Sequence, residues 1–173
     1  MKNWISLLLI GMLTLASCNS DDDVVPTFIY EGPDWEENVV FIDATNTPTV
    51  QINRFVAANN MDTVMTASGL VYAIQNPGET EKPTATSTVQ TWYKGYLTDG
   101  RVFDQTFTAP AEFSLDGALI QGWKEGIPKI GKGGRMWLLV RPSLGYGNSP
   151  PASSPIITDN TVLVFEIELE DFE

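Results

Sequence analysis

The chain contains no histidine and only one cysteine. Without imidazole there is no Ser-His-Asp or Cys-His relay, and no imidazole–thiolate metal site can be assembled. Basic side chains are scarce as well. Ten Lys and Arg stand against 22 Asp and Glu, a net charge of -12. So acidic a surface repels phosphate backbones and offers no polybasic patch to anionic headgroups, which excludes nucleic acid as a partner. A carboxylate-only Ca²⁺ or Mg²⁺ site is the remaining metal option. The one dense acidic run, Asp21-Asp22-Asp23, lacks the D-x-D-x-D-G loop spacing and reads as a solvated linker. Neither a metal nor a cofactor is expected. There is no Walker A loop, no G-x-S-x-G elbow, no G-x-G-x-x-G turn and no internal repeat. What is present is 173 residues with 43% hydrophobic content, enough for one globular domain with a real core.

Lys2, an apolar run over residues 4–16 and then small residues have the layout of a secretory signal peptide over residues 1–17. The run is shorter than the roughly 20 residues needed to cross a bilayer. Leu15-Ala16-Ser17-Cys18 resembles a bacterial lipobox. That resemblance implies a diacylglyceryl group on Cys18 and cleavage that leaves Cys18 first; a plain signal peptide with an incidental cysteine is the alternative. The acidic run that follows is similar to the surface-export signal of Bacteroidetes lipoproteins. The expected location is therefore the cell envelope, lipid-anchored at the outer membrane, periplasmic or surface-exposed. The lipid is the only expected membrane contact.

Residues 18–67 read as a lipid-anchored linker with a short helical extension. Thr47 can cap and Pro48 suits the first helical turn. Ile52, Phe55 and Val56 then form a small apolar stripe, and Asn59-Asn60 stops it. A helix this short does not hold alone in water, so it must dock on something. Val39-Val40-Phe41-Ile42 is a candidate short strand.

From Gly69 the period changes to two. Leu70, Tyr72 and Ile74 alternate with Val71 and Ala73, then Val89, Thr91 and Tyr93 with Gln90, Trp92 and Lys94. Thr98-Asp99-Gly100 signals a hairpin, Val102-Phe103 the returning strand, and residues 112–115 another. Residues 118–127 read as one short helix stopped by Pro128. Met136, Leu138 and Val140 alternate with Trp137 and Leu139. In the last strand Leu163, Phe165, Ile167 and Leu169 alternate with Val164, Glu166, Glu168 and Glu170, placing its acids toward water. The pattern predicts an α+β fold, an antiparallel sheet wrapped on a helix. Trp92, Trp137, Leu139 and Val164 fall on the outer face, opposite the core. An apolar patch of that kind needs a partner, and the amino-terminal stripe is expected to cover it.

Four collinear pieces then carry a resemblance. They are Tyr93-Lys94-Gly95; Asp99-Gly100-Arg101-Val102-Phe103-Asp104; Leu119-Ile120-Gln121-Gly122-Trp123-Lys124-Glu125-Gly126; and Pro142-Ser143-Leu144-Gly145-Tyr146-Gly147 with Leu163-Val164-Phe165-Glu166. Together they resemble the FKBP-type peptidyl-prolyl cis–trans isomerases over about 100 residues, and residues 68–173 are assigned to that domain. The resemblance implies a five-stranded antiparallel half-barrel around one short helix, with an amino-terminal extension. It implies a cofactor-free isomerase acting on proline-containing polypeptides through an aromatic pocket. The implied catalytic set is Tyr93, Phe103, Asp104, Ile120, Trp123, Tyr146 and Phe165, with Leu119, Ile156 and Ile157 as further substrate contacts. Macrolide inhibitors are an implied second ligand class. Ala111 and Ser153 depart from the family's larger groups and Thr158-Asp159 from its common Pro-Pro, which is expected to open one side of the pocket and weaken macrolide binding. A non-catalytic proline-peptide module and an envelope folding chaperone are the rival readings. The family's chaperones usually insert a flap, and none is visible between Phe103 and Tyr146.

Overall fold

The computed structural model describes residues 32–36 and 38–173. The expected signal segment at residues 1–17, Cys18 and the acidic run at 21–23 lie outside the described residues. Helix α1 spans Pro48–Ala58 and is followed by strands β1 (Val64–Met65), β2 (Val71–Asn76), β3 (Thr88–Leu97), β4 (Val102–Gln105) and β5 (Ala111–Ser114). Helix α2 (Gln121–Gly126) precedes β6 (Gly134–Val140) and β7 (Leu163–Phe172). All pairings are antiparallel, in the order β1-β2-β6-β7-β3-β4, with β5 also on β3.

The expected α+β architecture is there, with seven strands rather than five. The two-residue β1 is too short to leave an alternation in sequence. Strands β4 and β5 occupy successive stretches of one edge of β3, residues 94–96 and 88–91, so an interrupted edge counts twice. Helix α2 starts later than the pattern predicts. Leu119 N–H donates to Gly117 O at 3.0 Å in a tight turn, and Ile120 is extended at φ -62°, ψ 146°. Pro128 does not end the run in coil; it sits early in a 3₁₀ turn, Ile127–Lys129, where its missing N–H costs nothing.

The inner face of the sheet and α2 enclose the main core, built around Val89, Leu97, Met136, Leu138, Ile167 and Leu169. The helix lies unusually close. A Cβ at Gly122 would stand 2.8 Å from Val140 Cγ1, and one at Gly126 would stand 2.6 Å from Leu138 Cδ2. Two glycines one turn apart thus let a six-residue helix press its backbone on β6.

The outer face carries a second apolar cluster, and the amino-terminal extension covers it as expected. Thr47 is the N-cap of α1, though its side chain makes no cap bond. Ile52 and Phe55 from α1 meet Ala73, Tyr96, Trp137, Leu139 and Val164, and Val56 packs at the margin. Trp137 is only 3% exposed. Its ring centroid lies 6.2 Å from that of Phe55 and 6.1 Å from that of Tyr96. Trp92 shares this face farther along and donates to Glu170 Oε2 at 3.2 Å.

Residues 39–42 do not form a strand. A side chain takes the place of a ladder: Asn59 accepts from Val40 N–H at 2.7 Å and donates to Val40 O at 2.9 Å. Ile42 N–H adds one backbone bond to Thr98 O at 2.8 Å.

One expectation is overturned. Glu166, placed by alternation among acids facing water, is 0% exposed. The segment around Glu36 lies over it, and Glu36 N–H donates to its carboxylate at 3.2 and 3.4 Å. Lys94 on β3 and Trp137 on β6 are its strand neighbours. Burial, the dominant effect, raises its pKa from an ordinary 4.5 to about 7.

Two predictions follow from these contacts. Phe55→Ala empties a fully buried site and should cost about 3–5 kcal/mol of unfolding free energy in chemical denaturation. For Glu166, the native state retains a proton that the unfolded chain has lost. Its contribution is intact below about pH 4.5 and lost as pH rises through about 7. The unfolding free energy should therefore fall by about 2–4 kcal/mol across that window, and Glu166→Gln should flatten the slope. An unchanged slope in the variant would assign the linkage elsewhere.

Candidate active site

The inner face opens between β3, β4, β5 and the start of α2 into a cavity of about 210 Å³. Its walls follow from alternation. Residues two apart on a strand share a face, so Tyr93 and Gly95 on β3, and Phe165 and Ile167 on β7, point inward together. Gly95 lies opposite Phe165 in register. A Cβ there would stand 2.6 Å from Phe103 Cζ. The missing side chain is what lets the Phe103 ring lie over β3 and meet Phe165 edge-on, centroids 5.3 Å apart at 90°.

Trp123 forms the floor. The turn that delays α2 places it on the first helical turn, facing the sheet, and it is 3% exposed. Three rings surround it at near right angles: Tyr93 at 5.1 Å and 84°, Phe113 at 5.2 Å and 78°, Phe165 at 5.3 Å and 81°. Edge-to-face packing suits the aromatic quadrupole, positive edge to negative face. Its indole N–H is buried without a hydrogen-bond partner.

Three polar groups break the apolar lining: the Asp104 carboxylate and the Tyr93 and Tyr146 hydroxyls. Tyr93 O–H donates to Asp104 Oδ2 at 2.8 Å. Burial, and then this bond, push the Tyr93 phenol well above its ordinary value. Burial also raises the Tyr146 phenol, with the Asp104 charge adding to it. Both hydroxyls therefore keep their protons at neutral pH and can serve as donors. Among the described residues no three metal-ligating side chains come together.

Of the ten pocket residues the sequence nominates, eight line this cavity: Tyr93, Phe103, Asp104, Leu119, Ile120, Trp123, Tyr146 and Phe165. Ile156 and Ile157 do not. Ile157 is 4% exposed and belongs to the core beneath the loop, and Ile156 packs against that core. A turn from Ile157 N–H to Ser154 O at 3.2 Å directs this stretch of the loop. Phe113 and Ala118 line the cavity without having been nominated. Phe113 also changes the expectation for Ala111. The two are the inward pair of β5, with Glu112 and Ser114 outward, so Phe113 fills the side that Ala111 leaves. The alternation Ala111-Glu112-Phe113-Ser114 was the available signal. A second hollow, about 290 Å³, lies on the outer face among Glu36, Val39, Met61, Gln75 and Trp137; it has no convergent ring set.

Comparison with known proteins agrees with this geometry. The family model described as FKBP-type peptidyl-prolyl cis-trans isomerase matches residues 79–170. The FKBP-type peptidyl-prolyl cis-trans isomerase FkpA of Escherichia coli (strain K12) is 44% identical over 107 residues, 61% of this chain and 38% of that protein. A probable FKBP-type isomerase of Haemophilus influenzae is 38% identical over 116 residues, 66% of this chain and 47% of that protein. The chain thus spans less than half the length of these curated relatives. The crystal structure of E. coli FkpA superposes with a TM-score of 0.64 at 38% identity, covering 73% of this chain and 57% of that one. A peptidyl-prolyl cis-trans isomerase from Pseudomonas syringae pv. tomato superposes with a TM-score of 0.60 at 29% identity, covering 76% and 99%. Sequence motifs, sheet topology and the ring-lined cavity converge, and the chain belongs to the FKBP-type peptidyl-prolyl cis-trans isomerase family.

Proposed function

We propose that this protein catalyses cis–trans rotation of X-Pro peptide bonds in exported or envelope proteins, and that it is held in the envelope by a lipid on Cys18. The observation that carries the catalytic reading is the ring-lined cavity around Trp123 with one carboxylate and two protonated phenols at hand.

Rotation about a peptide bond faces a barrier of roughly 18–20 kcal/mol because it breaks amide resonance. The twisted transition state has a less polar carbonyl than the planar amide. Water stabilises the planar form more, so moving the bond into an apolar cavity lowers the gap. Each 1.36 kcal/mol gained is a tenfold rate. No nucleophile, base or metal is needed. In this reading the rings of Trp123, Phe103 and Phe165 hold the proline ring. Tyr146 O–H and Ile120 N–H bind substrate carbonyls. Asp104, fixed by Tyr93, acts on the strained amide electrostatically. Leu119 and Phe113 exclude water. The same cavity takes macrolide inhibitors, with the Ser153 and Thr158-Asp159 loop as the side where affinity is reduced.

The test is the catalysed cis-to-trans rate on a short proline peptide. Wild type should exceed background. Tyr146→Phe should lose roughly three- to tenfold, and Asp104→Ala roughly ten- to hundredfold, the usual scale for a neutral and a charge-assisted hydrogen bond. Peptide binding with no rate above background would leave the rival proline-peptide module.

The lipid anchor has its own test. Expressed in a bacterial host, the full chain should incorporate an alkyne palmitate label and sediment with membranes, and Cys18→Ala should abolish both. Label retained in the variant would remove Cys18 as the site. Protease shaving of intact cells then separates a surface location, which predicts cleavage, from a periplasmic one.

A further inference from the structure

The ladder between β3 and β4 stops one residue short of Tyr93. Lys94 pairs with Gln105 and Gly95 with Asp104, and the β5 ladder resumes only at Thr91. On this edge Tyr93 has no strand partner. Thr106, the residue after β4, stands in. Its Oγ1 accepts from Tyr93 N–H at 3.0 Å and donates to Tyr93 O at 3.2 Å, and its own N–H donates to Tyr93 O at 3.0 Å. A hydroxyl can accept and donate at once. The side chain is 7% exposed, so water has little access to take its place.

This clasp closes a ring. Thr106 holds the Tyr93 backbone, and two residues earlier Asp104 accepts the Tyr93 hydroxyl at 2.8 Å. One short segment therefore grips both ends of one tyrosine. Thr106 itself is not among the cavity-lining residues, so its effect on the cavity is indirect. We propose that Thr106 is a positioning residue, whose hydroxyl substitutes for a missing strand partner and sets the Tyr93–Asp104 pair at the edge of the cavity. The proposal rests on the isomerase reading of that cavity. Deleting the hydroxyl leaves a buried N–H unsatisfied, and β3 is free to shift by the slack it loses.

The experiment compares Thr106→Val, which keeps the shape, with Thr106→Ser, which keeps the hydroxyl. Two readouts are taken: kcat/KM on a proline peptide, and the ¹³Cζ resonance of Tyr93 in tyrosine-labelled full chain. Thr106→Val should lose about tenfold in kcat/KM, the loss of about one buried hydrogen bond's worth of alignment, while Thr106→Ser should stay within about twofold. The Tyr93 resonance should move toward that of Asp104→Asn in the valine variant and stay in place in the serine variant. Should Thr106→Val fail to fold, Thr106→Ala serves in its place. Equal activity of the valine variant and wild type overturns the inference. So does equal impairment of valine and serine variants, or an activity loss with the Tyr93 resonance unmoved. If wild type shows no catalysis, the isomerase reading falls instead, and the resonance alone decides the role of Thr106.

Discussion

The pairing of β3 with β7 is the constraint on which the molecule depends. These are the two longest strands, ten residues each, and they lie side by side in the sheet. Each presents one face to the core and cavity and the other to the amino-terminal extension. Tyr93 and Gly95 look inward while Trp92 and Tyr96 look outward; Phe165 looks inward while Val164 and Glu166 look outward. Because the side-chain period of a strand is two, a slip of one residue would exchange the faces. The cavity rings would then lie under α1, and the bed of α1 would open to the cavity. The geometry of the cavity and the seating of the extension are thus consequences of one register.

That coupling explains why the extension is there. A sheet with α2 on one side only would expose Trp137, Leu139, Val164 and Tyr96. Apolar patches of this size invite association. Helix α1 and residues 39–42 cover them with Ile52, Phe55, Val39 and Ile42. The edge of the cover is polar: Gln51 donates to Ala44 O and Asn46 O and accepts from Thr98 Oγ1 at 3.0 Å. Arg135 donates to Asp34 O at 2.7 Å and its guanidinium lies 5.5 Å from the Trp35 ring. The described residues of the extension pack as a third layer over the sheet.

Much of this was readable from residues alone, because alternation and capping are local. The strands around Tyr93, Met136 and Phe165 follow from period two. The ends of α1 follow from Thr47-Pro48 and Asn59-Asn60, and its docking face from Ile52, Phe55 and Trp137. Eight cavity residues followed from motif positions on β3, β4 and β7, at the start of α2 and in the loop after β6. What escaped depended on groups brought together from afar. Glu166 reads as a solvent acid because nothing in β7 announces that residue 36 will cover it. Ile157 reads as a pocket residue because a turn at Ser154, not its own type, decides where it points. The inward face of Phe113 was legible in its alternation with Glu112, but its contact with Trp123 depends on where β5 is seated.

The same distinction bears on how the cavity works. Its polar groups are few, and two of the three are phenols whose pKa values are pushed up by burial. A site built for proton transfer near neutral pH tunes its groups toward 7; here the phenols are tuned away from it. Glu166, raised to about 7, lies on the outer face and is sealed from the cavity by the sheet itself. The chemistry on the inner face is therefore left to shape, exclusion of water and fixed dipoles. Those require rigid walls more than reactive atoms, and the walls here are interlocked rings on a sheet clamped from both sides. A reaction that makes and breaks no covalent bond, only turning one, is the kind such a site can serve.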